Sequence, residues 1–315
     1  MKTDEWLSSR EISQRLKIHK HTVSDVAARH NLEIKSLSKR DKLYKLSDIV
    51  SALSVAQANP YNRRFIEAPL TRIYDDYWKL PWDEFICACD THSPHLNEKL
   101  FYKMLDVAER YKIKNFMHAG DFFDQNTFSR FDSEPDDMVD WDYEIGYSRK
   151  ILQSLKSVFE NVYFFMGSHD VRFWLMLLRT GKFSKFDTPF RLCGVDGIET
   201  SKYRYAEIGK EWRINHPKNV VKVGGLPALR MIAKHNRSIV FGHGHWWGME
   251  KDPSGKHYLI APGCMVDGRR IAYKSIWDTS HNEWVGGFLL VVDKDKPILF
   301  NDDSPWEIYL NAKPK

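Results

Sequence analysis

The stretch Ile113-Lys114-Asn115-Phe116-Met117-His118-Ala119-Gly120-Asp121-Phe122-Phe123-Asp124 decides how this chain is read. Ile113 to His118 is mostly apolar and of strand length, and it gives way at Gly120-Asp121. A short buried strand that stops at Gly-Asp puts a carboxylate on the rim of a sheet, where open α/β folds keep their chemistry. One aspartate in that position proves little. The same pattern recurs along the chain: Phe85 to Cys89 runs into Asp90-Thr91-His92, and Val162 to Met166 into Gly167-Ser168-His169-Asp170. Trp212 to Asn215 runs into His216, and Ser238 to Phe241 into Gly242-His243-Gly244-His245.

Between these strands the period changes from two to that of a helix. Leu96 to Tyr111 carries Leu100, Met104, Val107 and Ala108 on one stripe, and Tyr143 to Phe159 and Ala228 to His235 read as further helices. His257 to Ile260, followed by Ala261-Pro262-Gly263, and Phe288 to Val292 complete the strands. An acidic insertion (Asp132, Glu134, Asp136, Asp137, Asp140, Asp142) reads as a solvated loop. Val171 to Ile208, with Arg172, Trp174, Arg179 and Lys182, reads as helical and then irregular, an insertion facing substrate.

The chain has 315 residues, 43% apolar and 14% aromatic, enough for a large core and more than one domain. No apolar run approaches the ~20 residues of a membrane span. Met1-Lys2-Thr3-Asp4-Glu5 opens no apolar signal region, so a cytoplasmic protein is expected. Cys87, Cys89, Cys193 and Cys264 are too few and scattered for a disulfide framework. Cys87 and Cys89 would share one strand face as small reduced core residues. The net charge is +5, and residues 1–60, with 11 Lys plus Arg against 7 Asp plus Glu, carry +4 of it. That asymmetry points to a head module for a polyanion, joined to a nearly neutral remainder.

The head reads as three helices and a hairpin. Ser8 and Glu11 form a capping box for a helix through Leu16, with Leu7, Ile12 and Leu16 turned inward. A second helix, Thr22 to His30, buries Val23, Val26 and Ala27; Lys20, His21, Thr22 and Ser24 lie at its start. Leu32 to Tyr44 with Lys35, Lys39, Arg40 and Lys42 reads as a basic wing, and Ser47 or Asp48 caps a third helix through Leu53. The Leu-Ser-Ser-Arg-Glu-Ile opening (7–12), the mid-turn Ile18 and the ending Tyr44-Lys45-Leu46-Ser47-Asp48-Ile49 resemble the winged helix-turn-helix of the excisionase and MerR-like group. The resemblance implies nucleic-acid contacts from Lys20, His21, Thr22, Ser24, Lys39 and Arg40, the helix start facing a major groove. A docking or oligomerisation module with a solvated basic face is the alternative. The domains are drawn at 1–57 (head), 58–80 (linker, with Asn59-Pro60-Tyr61-Asn62-Arg63-Arg64) and 81–315.

Hydrolysing a phosphate ester requires neutralising phosphoryl charge and making a nucleophile from water. Two divalent cations about 3.5–4 Å apart clamp the substrate and acidify a bridging water. Such a site takes a shared carboxylate plus imidazoles and carboxylates delivered from several strand ends. The ordered blocks Asp-x-His (90–92), Gly-Asp-x-x-Asp (120–124), Gly-Ser-His-Asp (167–170), His216 and Gly-His-x-His (242–245), with Pro262-Gly263 after them, resemble the calcineurin-like metallophosphoesterase superfamily over residues 84 to about 293. The resemblance implies an α/β (α+β) fold of four layers, α/β/β/α. It implies that Asp90, His92 and His245 hold one metal, His216 and His243 the second, and that Asp121 is shared. His169 would stand outside the metal shell, stabilising the transition state or protonating the leaving oxygen, with Asp170 orienting it. Asp124 would support a His ligand from behind, and Arg172 would grip a phosphate or make a surface ion pair. Where the family has an Asn ligand this chain has Ser168, a shorter neutral donor, so a looser second site and Mn²⁺ dependence are expected, with Zn²⁺, Fe²⁺, Ni²⁺ or Mg²⁺ as other candidates. His118, His235 and His281 are read as structural or surface residues.

The expected activity is hydrolysis of phosphodiesters, with nucleic acid, DNA foremost, as substrate because of the basic head. A small-molecule phosphodiesterase or phosphomonoesterase, and a DNA-binding regulator with a vestigial phosphoesterase domain, are the alternatives.

Overall fold

The computed structural model describes residues 5–38, 41–58, 75–130, 134–180, 189–218, 226–276 and 284–311. The chain divides into two units, Met1–Asp75 and Asp76–Lys315.

In the first unit, β1 (Trp6–Ser8), α1 (Ser9–Leu16), α2 (Lys20–Arg29), β2 (Ile34–Ser36), β3 (Lys42–Lys45) and α3 (Leu46–Ala58) follow one another. Helix α1 starts where the capping box predicts. The Glu11 N–H donates to Ser8 Oγ (3.3 Å) and the Ser8 N–H to Glu11 Oε2 (2.8 Å), so two otherwise orphaned amides are satisfied. Leu7, Ile12, Val23, Val26, Ala27, Tyr44 and Ile49 form the core. The strands are antiparallel in the order β1-β3-β2, and β1, three residues opposite Leu43 to Lys45, is too short to show a period in the sequence. Lys20 and His21 are exposed, and Thr22 and Ser24 half-buried, on the first turns of α2; Lys39 and Arg40 lie outside the described residues.

The second unit is a mixed α/β structure built on two six-stranded sheets. In one, β5 (Phe85–Ala88), β6 (Asn115–His118), β7 (Asn161–Phe165) and β8 (Ile198–Ser201) are parallel. β14 (Gly287–Val292) and β15 (Lys296–Asn301) add antiparallel to the β5 edge. In the other, β10 (Trp212–Asn215), β11 (Ser238–Phe241) and β13 (Tyr258–Pro262) are parallel, with β12 (Trp247–Lys251) antiparallel to β13. β9 (Tyr205–Ile208) runs antiparallel to β10, and β4 (Lys79–Leu80) parallel to β9.

Side chains alternate across these strands. Phe85, Cys87, Met117 and Phe165 of the first sheet therefore meet Ile208, Trp212, Ile214 and Val240 of the second in one buried core. Each fully buried large apolar side chain contributes about 1.5–3 kcal/mol. Helices α4 (Glu98–Tyr111) and α5 (Trp141–Val158) cover the outer face of the first sheet, setting Leu100, Met104, Leu152 and Leu155 against Ile86, Phe116 and Phe164. α6 (Arg172–Arg179) and α7 (Phe190–Cys193) follow β7, and α8 (Leu226–His235) brings Ile232 against Ile239 and Leu259 of the second sheet. The layers are α/β/β/α. All four cysteines are free and buried.

Three readings change. The described parts of 171–208 are not irregular throughout: after α6 and α7 come β8, the edge strand of one sheet, and β9, next to the β4 edge of the other, while Lys182 lies outside the described residues. Their polar faces (Glu199, Ser201, Tyr205, Glu207) hid the strand signal. Lys79–Leu80 is a strand of the second sheet rather than linker. Within the acidic insertion, Asp137 is buried and accepts the Ala272 N–H (2.5 Å), while Asp140 caps α5 through the Tyr143 N–H (3.0 Å); Asp132 lies outside the described residues. Among the described residues no helix is long and apolar enough to cross a membrane.

Candidate metal centre

β5, β6 and β7 are parallel in one sheet, and β10 and β11 in the other. The five sequence blocks leave the carboxyl ends of these strands and converge. Ligand atoms of Asp90, Asp121, His216 and His243 lie within 4.8 Å of one another, as do those of Asp90, His92 and His245, and those of His92, Asp121 and His169. Asp90 and Asp121 each belong to two of these groups. His169, expected outside the shell, lies at ligand range of His92 and Asp121.

The backbone is bent to bring them there. Asp90 (φ 53°), His92 (φ 45°), Asp121 (φ 55°), His243 (φ 77°) and His245 (φ 54°) all occupy the left-handed region. That conformation costs an L-residue with a Cβ roughly 1–2 kcal/mol. Such concentrated strain marks functional sites. Gly120 (φ +93°) is needed for a second reason: a Cβ there would stand 2.6 Å from His216 Nδ1.

Three imidazoles of these groups present a buried nitrogen with no hydrogen-bond partner: His92 Nε2, His216 Nε2 and His245 Nδ1. In two of them the other nitrogen is fixed. His92 Nδ1 pairs with Asp124 Oδ1 (3.0 Å) and His216 Nδ1 donates to the Ala119 carbonyl (2.7 Å), which leaves Nε2 as the nitrogen each ring can offer to a cation in place of a proton. An imidazole held from behind, its free nitrogen turned toward carboxylates, is the arrangement of a metal-ligating histidine. His216 Nε2 lies 3.2 Å and His243 Nδ1 3.5 Å from Asp121 Oδ2, and His245 Nε2 lies 3.5 Å from Asp90 Oδ1. The Trp284 ring stands edge-on to His245 with centroids 4.2 Å apart.

Electrostatics agree with the geometry. Burial pushes the Asp121 carboxyl up, but His216 and His169 beside it pull it well below the usual carboxylate range. Asp90 is likewise held low, by His245 against the penalty of burial. Burial depresses the His92 imidazole to about 4, whereas Asp121, overcoming burial, lifts His216 to about 9. Two buried anionic carboxylates ringed by imidazoles satisfy the donor requirements of divalent cations with mixed N and O ligands. The residues present fit such ions.

Asp124 sits where a supporting carboxylate was expected, behind His92. Asp170 does something different from the role read for it. It does not orient His169: its carboxylate accepts the main-chain N–H groups of Asp121 (2.7 Å), Phe122 (2.9 Å), Phe123 (2.9 Å) and Gly167 (2.8 Å), tying the β6 and β7 loops together. No side-chain pattern signals this, because the donors are backbone. His169 is held by the Asp124 carbonyl at Nδ1 (2.9 Å) and by Arg172 Nη2 at Nε2 (2.9 Å). Arg172 can only donate, so Nε2 accepts and the proton resides on Nδ1. Arg172 also donates to the Asp124 carbonyl (3.0 Å) and so belongs to the site rather than to the surface. The Ser168 hydroxyl donates to Asp121 Oδ2 (3.0 Å), and the His169 N–H to Asp121 Oδ1 (2.7 Å).

Two contributors went unread. Glu144, buried in α5, accepts the N–H groups of Asp124 and Gln125 (both 3.0 Å), and Gln125 is itself buried and donates to the Asp170 carbonyl (3.0 Å). Trp284 is the third residue that no motif announced. His118 is structural, its Nε2 paired with Thr91 Oγ1 (2.8 Å) and its ring stacked on Phe164.

No family model matches the chain, and no curated protein matches it in sequence. Among solved structures it is similar to Vps29 from Entamoeba histolytica. A single-mutant form of that protein shares 16% identity at a TM-score of 0.36, over 67% of this chain and 87% of the other. The wild type complexed with Zn²⁺ shares 14% at 0.36, over 68% and 88%. Vacuolar protein sorting 29 from Cryptosporidium parvum shares 14% at a TM-score of 0.35, over 70% of this chain and 96% of that one.

Proposed function

We propose that the chain is a two-metal-dependent phosphoesterase of the calcineurin-like type that hydrolyses phosphodiester bonds of nucleic acid in the cytoplasm. The observation that carries this reading is the pair of ligand groups Asp90/His92/His245 and Asp121/His216/His243, set side by side on one rim with imidazole nitrogens buried and unpartnered. Divalent cations bound there, Mn²⁺ foremost, would supply charge neutralisation for the phosphoryl oxygens and an acidified water.

The chain's own residues supply the rest. Asp124 and Ala119 hold His92 and His216 in the ligating tautomer. Arg172 offers a guanidinium to a phosphate oxygen. A phosphate that draws Arg172 away from His169 frees Nε2 of that imidazole to take up a proton, which Asp121 and Asp124 favour against burial, and to pass it to the leaving oxygen, with Asp124 steadying the ring at Nδ1 (carboxylate oxygen 3.2 Å away). Nucleic acid as substrate rests on the first unit, read as a winged helix-turn-helix whose α2 carries Lys20, His21, Thr22 and Ser24 at its start. The +4 charge of residues 1–60 favours a polyanionic partner.

The test is hydrolysis of a chromogenic phosphodiester and the matching monoester with Mn²⁺, comparing wild type with Asp121→Asn and His169→Ala. Diester turnover abolished by Asp121→Asn and reduced about a hundredfold or more by His169→Ala is expected. Monoester turnover alone would replace the diesterase by a phosphatase. Absence of both with metal bound would leave a DNA-binding regulator, a reading that Ser168 in the asparagine position favours.

A further inference from the structure

The antiparallel register of β9 and β10 sets Tyr205 opposite Asn215 and Ala206 opposite Ile214. It continues one rung past the strand ends, where the His216 N–H donates to the Arg204 carbonyl (2.8 Å). Arg204 and His216 are thus cross-strand neighbours. Alternation then fixes the side of the sheet. Tyr205 lies on the outer face, its ring under the Arg213 guanidinium (4.1 Å), whereas Ala206 and Ile208 face the core between the sheets, as Ile214 does. Arg204 has the parity of Ala206, and His216 that of Ile214, so both face the opening between the sheets. Opposed residues in such a pair stand about 5.5 Å apart at Cα. Arg204 is therefore one strand further out than the metal centre: beside it, not on it.

Its charge is unspent. Arg204 is half-buried, yet among the described residues its guanidinium makes no hydrogen bond or ion pair. Arg213, on the outer face of the same sheet, is tied instead to Glu207 (3.2 Å). A partly desolvated guanidinium without a counter-charge suits an incoming planar or tetrahedral oxyanion, which it can grip with two N–H groups. Arg172, on the His169 side, already serves the scissile phosphate in the reading above.

We infer that Arg204 binds a second phosphate of the substrate, adjacent to the scissile one on the His216 side, and that the substrate is a polyphosphodiester strand rather than an isolated diester. This inference rests on the phosphodiesterase reading. It assigns the discrimination between nucleic acid and small diesters to the catalytic unit.

The experiment uses the full chain and competitive inhibition of small-diester turnover by thymidine 3′,5′-bisphosphate and by thymidine 5′-monophosphate. The ratio of the two inhibition constants is taken within each variant, so a change in basal turnover cancels. In wild type the bisphosphate should bind about tenfold more tightly, the ~1.4 kcal/mol of one added charge-assisted contact. Arg204→Ala should bring the ratio to within about twofold of unity, Arg204→Lys should retain part of it, and Lys210→Ala, in the turn at the opposite end of β9, should leave it at the wild-type value. A wild-type ratio near unity, or one that survives Arg204→Ala, overturns the inference while leaving the phosphodiesterase intact. No turnover of the small diester overturns both.

Discussion

Asp124→Asn separates charge from shape at the residue that holds two imidazoles. Oδ1 of Asp124 lies 3.0 Å from His92 Nδ1 and 3.2 Å from His169 Nδ1, and the side chain is buried. Burial alone would raise its carboxyl, but the hydrogen bonds from His169 and His92 hold it far below the ordinary range, so the group is anionic at every working pH. As an anion it fixes the proton of His92 on Nδ1 and makes Nε2 a stronger donor. Asparagine can accept with its carbonyl oxygen, but it carries no charge and must place an NH₂ where only acceptors were needed. Removing such support from a ligating imidazole costs about 10–100-fold in metal affinity, roughly 1.4–2.7 kcal/mol. The assay is titration of chelator-treated protein with Mn²⁺, joined to melting curves at a fixed metal concentration. At about 100 times the wild-type Kd, wild type gains about 2.7 kcal/mol of stability by mass action, and a variant with tenfold weaker binding about 1.4. Affinity within about twofold of wild type for Asp124→Asn, beside a loss of more than about a hundredfold for His92→Ala, would refute the reasoning and leave Asp124 a loop residue acting through its main chain.

The remaining predictions concern the walls of the site. Gly120→Ala forces a Cβ at φ +93° to within 2.6 Å of His216 Nδ1; we expect a loss of about 2–4 kcal/mol by thermal unfolding and a fall in diester turnover of about a hundredfold or more. Ser168→Asn replaces a hydroxyl bonded to Asp121 Oδ2 (3.0 Å) by an amide oxygen of longer reach; calorimetric Mn²⁺ titration should show the weaker of two sites tighten about tenfold, and two sites already equally tight in wild type would refute the idea. Burial lifts the Glu144 carboxyl to about 8 from 4.5. The folded protein then holds a proton that the unfolded chain releases, so stability falls as pH rises from about 4.5 to 8. Glu144→Gln should remove that slope and be the more stable protein at pH 8 by a few kcal/mol; parallel stability–pH curves for the two proteins would count against it.

The candidate ligand set was legible because each block follows a buried strand, and the end of a buried strand is something an apolar run displays. The order of the blocks, with the resemblance it carries, brought Asp90, Asp121, His216 and His243 to one candidate centre, although Asp90, assigned with His92 and His245, also lies within reach of His216 and His243. What could not be read shares a different cause. The strands β8, β9 and β12 lie at or beside sheet edges, where one face is polar, so their apolar periodicity is weak. Asp170 was placed behind His169 by the family resemblance, yet its four donors are main-chain amides of residues 121–123 and 167, and nothing in a side-chain sequence announces a backbone partner. Glu144 sat unremarked on a helix whose buried face could be predicted but whose contact with the Asp124 loop could not.

These unread residues explain how the read ones hold their places. Five ligand candidates adopt left-handed backbone, a strain of roughly 1–2 kcal/mol each by the general rule. Loops so bent would relax unless their amides were bound in the bent form. Asp170 binds four of those amides, Glu144 two more, Asp90 the His243 N–H (2.8 Å) and Asp121 the His169 N–H (2.7 Å). The carboxylates, all buried, thus have two tasks, and their neighbours sort them. Asp170 and Glu144, raised to about 6 and about 8, face backbone donors and bear the loops. Asp90 and Asp121, pulled low by imidazoles, keep their charge and face the centre. The outer carboxylates fix the geometry that the inner ones use, so the strain at the rim is held by hydrogen bonds rather than by apolar packing. A site built this way tolerates exchange of its outer apolar neighbours more readily than the loss of one buried acceptor.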